Sequence, residues 1–224
     1  MDSSSSDALI CNVVRYFLAF SVVSEHPTFL PVSFRYTHLP FLTYGMKIFR
    51  KILDKVYKKR TLAQMNIFAT SLEPFQAAQW LCDKHMKQLL ESCQMLCTAF
   101  HEQGIEAPYR PSHRNHPSSI WTRLSYDNFQ WLIAHAHGIS EEYTARYGKV
   151  HKSKAVLDWC EDHAHLLGFD LRDLTKFAIA IADDMLCRKH PSFSEDDPIT
   201  AYKLYIKIDK QHIHSWKRNK PDWV

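Results

Sequence analysis

Glycine is scarce in this chain, with 5 among 224 residues, while aromatic residues make up 13%. A β architecture with many tight corners needs more glycine, so the shortage argues for long helices packed through bulky side chains. No run of ~20 apolar residues is present, which argues against a membrane span. The six cysteines, Cys11, Cys82, Cys93, Cys97, Cys160 and Cys187, include no CxxC pair. Most fall at apolar helical positions, as buried thiols do in the reducing interior of a cell, so a cytoplasmic setting is expected. A chain of this length can bury a core without a disulfide framework. Walker, GxGxxG and GxSxG patterns are all missing, which leaves nucleotide hydrolysis, dinucleotide redox and serine esterase chemistry without support.

A sustained excess of one charge is also lacking over most of the sequence. Residues 1–64 hold nine Lys/Arg against four Asp/Glu, whereas residues 65–224 hold nineteen against twenty. The larger part is near neutral, so any phosphate-binding site in it must come from local clusters.

The leading segment reads as an irregular N-terminal extension, 1–64. Met1–Ser6 is polar, and Ala8–Val23 is apolar but interrupted by Asn12 and Arg15 and preceded by Asp2 and Asp7, unlike a signal peptide. Pro27, Pro31 and Pro40 punctuate the middle. Lys47 to Arg60 carries seven basic residues and one acidic residue, with Ile48, Phe49, Ile52, Leu53 and Val56 at helical spacing. That pattern describes a short basic amphipathic helix. It serves equally as a nucleic-acid arm, a solvated linker, or the product of an upstream start codon, since Met46 and Met65 can also initiate.

From Met65 the pattern is that of a mainly α, compact single-domain helical bundle over 65–224. Asn66–Ser71 reads as a short strand or extended piece, and Pro74 suits the first turn of a helix. Phe75, Ala78, Cys82, Met86, Leu89, Cys93, Leu96, Cys97 and Phe100 recur at three- and four-residue steps, predicting one helix that Gly104 stops. A proline-rich loop runs to Pro117. Ser118 or Ser119 then caps a helix whose buried face holds Trp121, Leu124, Asn128, Trp131, Leu132 and His135. Further helices are predicted over Ser140–Tyr147, ended by Gly148, over a segment from Ala155 ended by Gly168, and over Leu171–Leu186 and Pro198–Trp216.

Two polar constellations carry the chemistry. Lys84, Lys87 and Glu91 fall on the face opposite the apolar stripe, with His85 at its edge; they read as a salt-bridging surface or as a pocket carboxylate with an acid/base histidine. The loop residues Arg110, His113, Arg114, Asn115 and His116 form a donor-rich grip for phosphates or for an extruded base, or else an ordinary surface loop. Lys149, His151, Lys152 and Lys154 make a compact basic turn, and Lys207, Lys210, Lys217, Arg218 and Lys220 a second basic patch beside Trp216 and Trp223. Four histidine pairs, including His135/His137, invite a metal. Residues two apart on a helix point ~200° away from each other, however, so no metal and no cofactor are predicted.

Met65-Asn66-Ile67-Phe68 and Cys82-Asp83-Lys84-His85 open this region. They are followed by Tyr109-Arg110, His113, Asn115-His116-Pro117 and Trp121, by Glu142-Tyr143, Arg146-Tyr147-Gly148-Lys149 and His151-Lys152, and by Trp216, Arg218 and Pro221-Asp222-Trp223. In these motifs the chain resembles a family of small tailed-phage proteins, over about 70% of its length. In element order it is similar, more distantly, to the phage pyrimidine-dimer DNA glycosylase. That resemblance implies a compact helical fold and DNA as partner. It further implies glycosylase-like action on a flipped pyrimidine, in which an N-terminal amine attacks C1′ of the sugar and a Glu manages protons. Asp83 and His85 match the Asp-x-His element, and Glu91 is the nearest match to the catalytic Glu, one residue short of the expected spacing. Two alternatives stand beside it. One is transfer of an amino acid or other group onto a modified thymine, with Glu91 or His85 as base; the other is a non-catalytic DNA-binding or virion-associated protein.

Overall fold

In the computed structural model the chain divides into two units, Met1–Leu62 and Ala63–Val224. The structure describes residues 65–224, within the second. The basic helix expected over Lys47–Arg60, with the rest of the extension, lies outside the described residues.

Residues 65–224 are mainly helical: α1 Pro74–Gln79, α2 Gln88–Glu102, α3 Pro117–Leu124, α4 Tyr126–Tyr147, α5 Lys154–His163 and α6 Pro198–Asp209. Short 3-10 turns lie at Asp83–Lys87, Ala164–Leu166, Leu186–Lys189 and Gln211–Ile213. Among the described residues there is no β-strand, only an isolated bridge between Ser125 and Leu171. No helix there is long and apolar enough to cross a membrane.

The core forms around α2 and α4, which pack on each other and together contact α1, α3 and α5. Leu89, Cys93, Met95, Leu96, Cys97 and Phe100 are fully buried, so α2 is enclosed over most of its circumference, as a helix apolar on more than one face must be. At Gly138 α4 approaches α1 closely: an added Cβ would lie 2.8 Å from Ala78 Cβ of α1 and 3.3 Å from the Phe75 backbone. Only a residue without a side chain fits there. Gly138→Ala is expected to cost about 1–3 kcal/mol by overpacking, read as a lowered denaturation midpoint with an unchanged m-value.

Two predicted helices are divided, each for a visible reason. The helix expected from Pro74 to Phe100 breaks after Gln79, because the buried Arg146 guanidinium takes the carbonyls of Gln79 and Leu81 at 3.0 and 2.7 Å. Consequently Asp83, Lys84 and His85 lie on the 3-10 turn rather than on the helix that carries Glu91.

The next helix breaks at Ser125, which is extended (φ −143°, ψ 160°) and whose Oγ accepts the Asn128 N–H at 3.1 Å. The Tyr126 and Asp127 amides instead reach Leu171 and Arg172 carbonyls. Beyond this break α4 runs unbroken to Tyr147 and merges the two helices expected there; Leu124, predicted buried, is 47% exposed. As predicted, Gly148 ends α4 in the left-handed region, at φ 64°. Losing the Ser125 cap in Ser125→Ala is expected to cost ~1 kcal/mol in the same assay.

The helix predicted over Leu171–Leu186 does not form. Its backbone groups are taken by side chains from other elements: Asn128 Oδ1 accepts the Thr175 N–H, and Tyr202 Oη accepts the Ala180 N–H and donates to Ala178 O. Asn66 Nδ2 donates to Ala180 O, and Arg188 binds the Ile181 and Ala182 carbonyls. Likewise α6 stops at Asp209, short of Trp216.

Candidate active site

The MNIF segment runs through the interior without regular secondary structure, with Met65, Asn66, Ile67, Phe68, Ala69 and Thr70 all buried. Asn66 is fixed at three points: its Oδ1 accepts the Ile67 and Phe68 amides at 2.8 and 3.2 Å, and its Nδ2 donates to Ala180 O at 3.1 Å. Phe68 adopts φ 47°, a left-handed conformation that is costly for an aromatic residue, on the order of 1–3 kcal/mol. Contacts repay it. The Phe68 ring lies 4.4 Å from the His85 ring, 5.9 Å from Tyr205 and 6.0 Å from Tyr202.

Glu91 projects from the first turn of α2 toward this segment. Burial raises its pKa above the ordinary carboxylate value, opposed by the Lys87 charge and by hydrogen bonding from the Asn66 backbone N–H. Lys87 Nζ stands 3.9 Å from Glu91 Oε1, and the Glu91 side chain keeps 20% exposure against 74% for Lys87. The result is a half-sequestered carboxyl group, open on one side, whose ionised form is favoured by the main-chain N–H of residue 66.

His85 is buried against Phe68, with Nδ1 3.4 Å from Cys82 Sγ. Burial, together with the charges of Lys210, Lys87 and His214, pushes its pKa down to about 3. It is therefore a neutral imidazole near pH 7. It can donate or accept one hydrogen bond there but does not carry a charge. His135 of α4 is equally buried, bonds Pro74 O at 3.0 Å, and has its pKa lowered to about 4 by burial. Both folded pKa values lie below the unfolded value near 6.5, so the unfolded state binds more protons at intermediate pH. Stability is complete above pH ~6.5 and is lost as pH falls toward about 4 for His135 and about 3 for His85. Midpoints measured between pH 7 and 4 should fall less in a His135→Gln variant than in the parent.

Asp83 has a different task. Its carboxylate accepts from Arg146 Nη1 at 3.2 Å, Ser215 Oγ at 2.7 Å and the Lys217 amide at 3.3 Å, while its own amide donates to Ser215 O. Arg146 also donates to Glu142 Oε2 at 3.0 Å, and Glu142 Oε1 accepts from Asn219 at 2.8 Å. Lys217 Nζ caps Arg146 O and lies 4.5 Å from the Tyr147 ring centre, and Trp216 Nε1 donates to Trp80 O. Arg146 thus joins Asp83 to Glu142, Tyr147 Oη donates to Asp83 O and Arg218 pairs with Glu142 at 3.7 Å, an ionic clamp that, with Trp216 on Trp80, ties the C-terminal tail to the bundle.

The donor-rich loop is only partly free. Arg110 and Asn115 are exposed, but Arg114 pairs with Glu102 at 3.0 Å, and His116 is the N-cap of α3, its Nδ1 accepting the Ser118 amide. That bond needs a neutral ring, and burial, followed by the His113 charge, lowers the His116 pKa. His113 sits at φ 51° against Ser112. Thr98 exchanges hydrogen bonds with Ser112, so the loop rests on α2. At ~100° per residue, Thr98 and Glu102 lie within ~20° of Glu91 around α2, one side of the helix carrying both the carboxyl group and the loop ~10–16 Å along its axis.

The basic turn is placed otherwise. Ser153 binds Cys93 and Tyr109 Oη, and Cys93 points ~160° away from Glu91, so Lys149, His151, Lys152 and Lys154 flank the loop but not the Glu91 face. Lys154 is moreover paired with Asp158, and His151 Nδ1 accepts the Ser153 amide. Tyr205, not singled out as a site residue in the sequence, and Lys210, read there as part of the second basic patch, belong instead beside His85: Tyr205 packs on Phe68, Lys210 Nζ lies 4.8 Å over the Tyr205 ring and its charge acts on His85, and the Lys210 pKa is lowered by burial. Their positions depend on where α6 ends, which no local pattern gives.

Neither a family model, nor a curated protein, nor a solved structure matches the chain.

Proposed function

We propose that the 65–224 region is a DNA-acting enzyme that removes a flipped pyrimidine base, with Glu91 as its proton-handling group. One observation carries this reading: the half-buried Glu91 carboxyl group faces the main-chain nitrogen of Asn66. A chain whose first residue is Asn66 would present an α-amine at that point, and because Asn66 is buried its attack on DNA requires this segment to open toward the sugar. That amine attacks C1′ of the deoxyribose; the N-glycosidic bond breaks with its electron pair leaving on the base, which takes up a proton. The attached nitrogen gives up one proton to become a secondary amine, and the sugar ring then opens, O4′ taking up a proton as the C1′–O4′ bond breaks and the nitrogen lone pair forms the protonated imine. Glu91, with a raised pKa, supplies the proton and takes one back. His85 lines the site as a neutral hydrogen-bonding ring. Asp83 acts as a positioning residue through the Arg146 clamp. Arg110 and Asn115, exposed on the loop along the Glu91 side of α2, are the groups placed to meet phosphate or a base edge.

An amine on Met65 lies one residue out of register, so the reading requires a chain cut between Met65 and Asn66. The test uses protein released from a cleavable fusion so that it begins at Asn66, incubated with ultraviolet-irradiated plasmid. Strand incision is expected from this form and not from one retaining Met65. Tight DNA binding with no incision by either form would favour a binding module, and transfer of a labelled amino acid to hydroxymethylated DNA would favour group transfer.

A further inference from the structure

His137 and His135 are two residues apart on α4 and serve opposite sides of it. His135 turns into the core, while His137 faces α5, where Nε2 meets Glu161 Oε2 at 2.9 Å. Asp158 lies one turn before Glu161, and i,i+3 residues share a helix face. One ligand atom from each of His137, Asp158 and Glu161 lies within 4.8 Å of the others.

We propose that these three side chains bind one divalent transition-metal ion of the zinc class, bridging α4 and α5. The donor set is one imidazole nitrogen and two carboxylate oxygens, which suits Zn²⁺; Mg²⁺ and Ca²⁺ favour all-oxygen shells. Charge points the same way. Two carboxylates face one another with a single cation, Lys154 on Asp158, so a neutral imidazole leaves the cluster net negative. Access is open: the side chains of His137, Glu161 and Asp158 are 20%, 54% and 46% exposed. Metal–ligand bonds of ~2.0–2.2 Å need only small rotamer changes from these spacings, with Lys154 released to solvent and water completing the shell. The ion cross-links two helices and takes no part in base removal, so it stands or falls separately from the function proposed above.

The test titrates chelator-treated full-length protein with Co²⁺, followed by visible d–d absorption, and with Zn²⁺, followed by thermal midpoint. One equivalent of Co²⁺ is expected to give a four-coordinate spectrum, and Zn²⁺ to raise the midpoint. His137→Asn and Glu161→Gln should each weaken binding at least ~10-fold and abolish the rise. With 14 histidines in the chain, adventitious binding needs a control; His212→Ala should change nothing. Binding that survives unchanged in both site variants, or no midpoint shift in the parent, overturns the site.

Discussion

Arg146→Ala should be the most damaging single substitution in the 65–224 region, lowering stability by about 3–5 kcal/mol. The Arg146 side chain is 0% exposed and sits between the carboxylates of Asp83 and Glu142, with side-chain exposures of 12% and 5%. Removing it strands two desolvated negative charges and leaves the Gln79 and Leu81 carbonyls without their donor. That loss approaches the whole stability of an ordinary domain. Denaturant titration measures it directly. Arg146→Lys should recover only part, because one ammonium cannot span four acceptors in the plane of a guanidinium. A loss under ~1 kcal/mol for Arg146→Ala would mean that the clamp holds nothing together.

Glu91→Gln should lower single-turnover base release by about 10²–10⁴-fold while leaving DNA affinity within about twofold. The substitution keeps the shape of the side chain, and glutamine can still accept the Asn66 amide, so the fold is preserved. What is lost is the exchangeable proton. Because burial raises the Glu91 pKa, the acid form persists to higher pH than in an ordinary glutamate, and the alkaline limb of the rate profile, where that form is lost, should lie at higher pH than for a solvated carboxyl group. A raised folded pKa also means that ionised Glu91 destabilises the native state as pH rises above ~4.5, so the glutamine variant should be slightly more stable than the parent at pH 7. Direct comparison of the two denaturation midpoints tests this second, independent consequence.

Much of the helical content was legible in the sequence, because the apolar periodicity from Phe75 to Phe100 and the stop at Gly148 are local signals. The breaks were not. Arg146 interrupts a helix 65 residues earlier in the chain by taking the carbonyl of Leu81, and Asn128 and Tyr202 hold residues 175–180 in an irregular path despite their helical composition. Such side-chain-to-backbone competition depends on tertiary neighbours, which override local propensity. The site followed the same division. Glu91 and His85 were legible as polar residues next to an apolar stripe. The difference between them, a carboxyl group opening to solvent and an imidazole sealed against Phe68, comes from the strained turn at Phe68 and from α6. Asp83 shows the converse, since a residue marked out by resemblance has its carboxylate fully engaged in holding the tail.

Borohydride trapping on DNA carrying an abasic site, using protein that begins at Asn66, tests the central claim most directly. A covalent protein–DNA adduct is expected, which peptide mapping locates at the α-nitrogen of Asn66 and which Glu91→Gln strongly reduces. A protein that binds the same DNA tightly and yields no adduct, or one mapped to another residue, would contradict it.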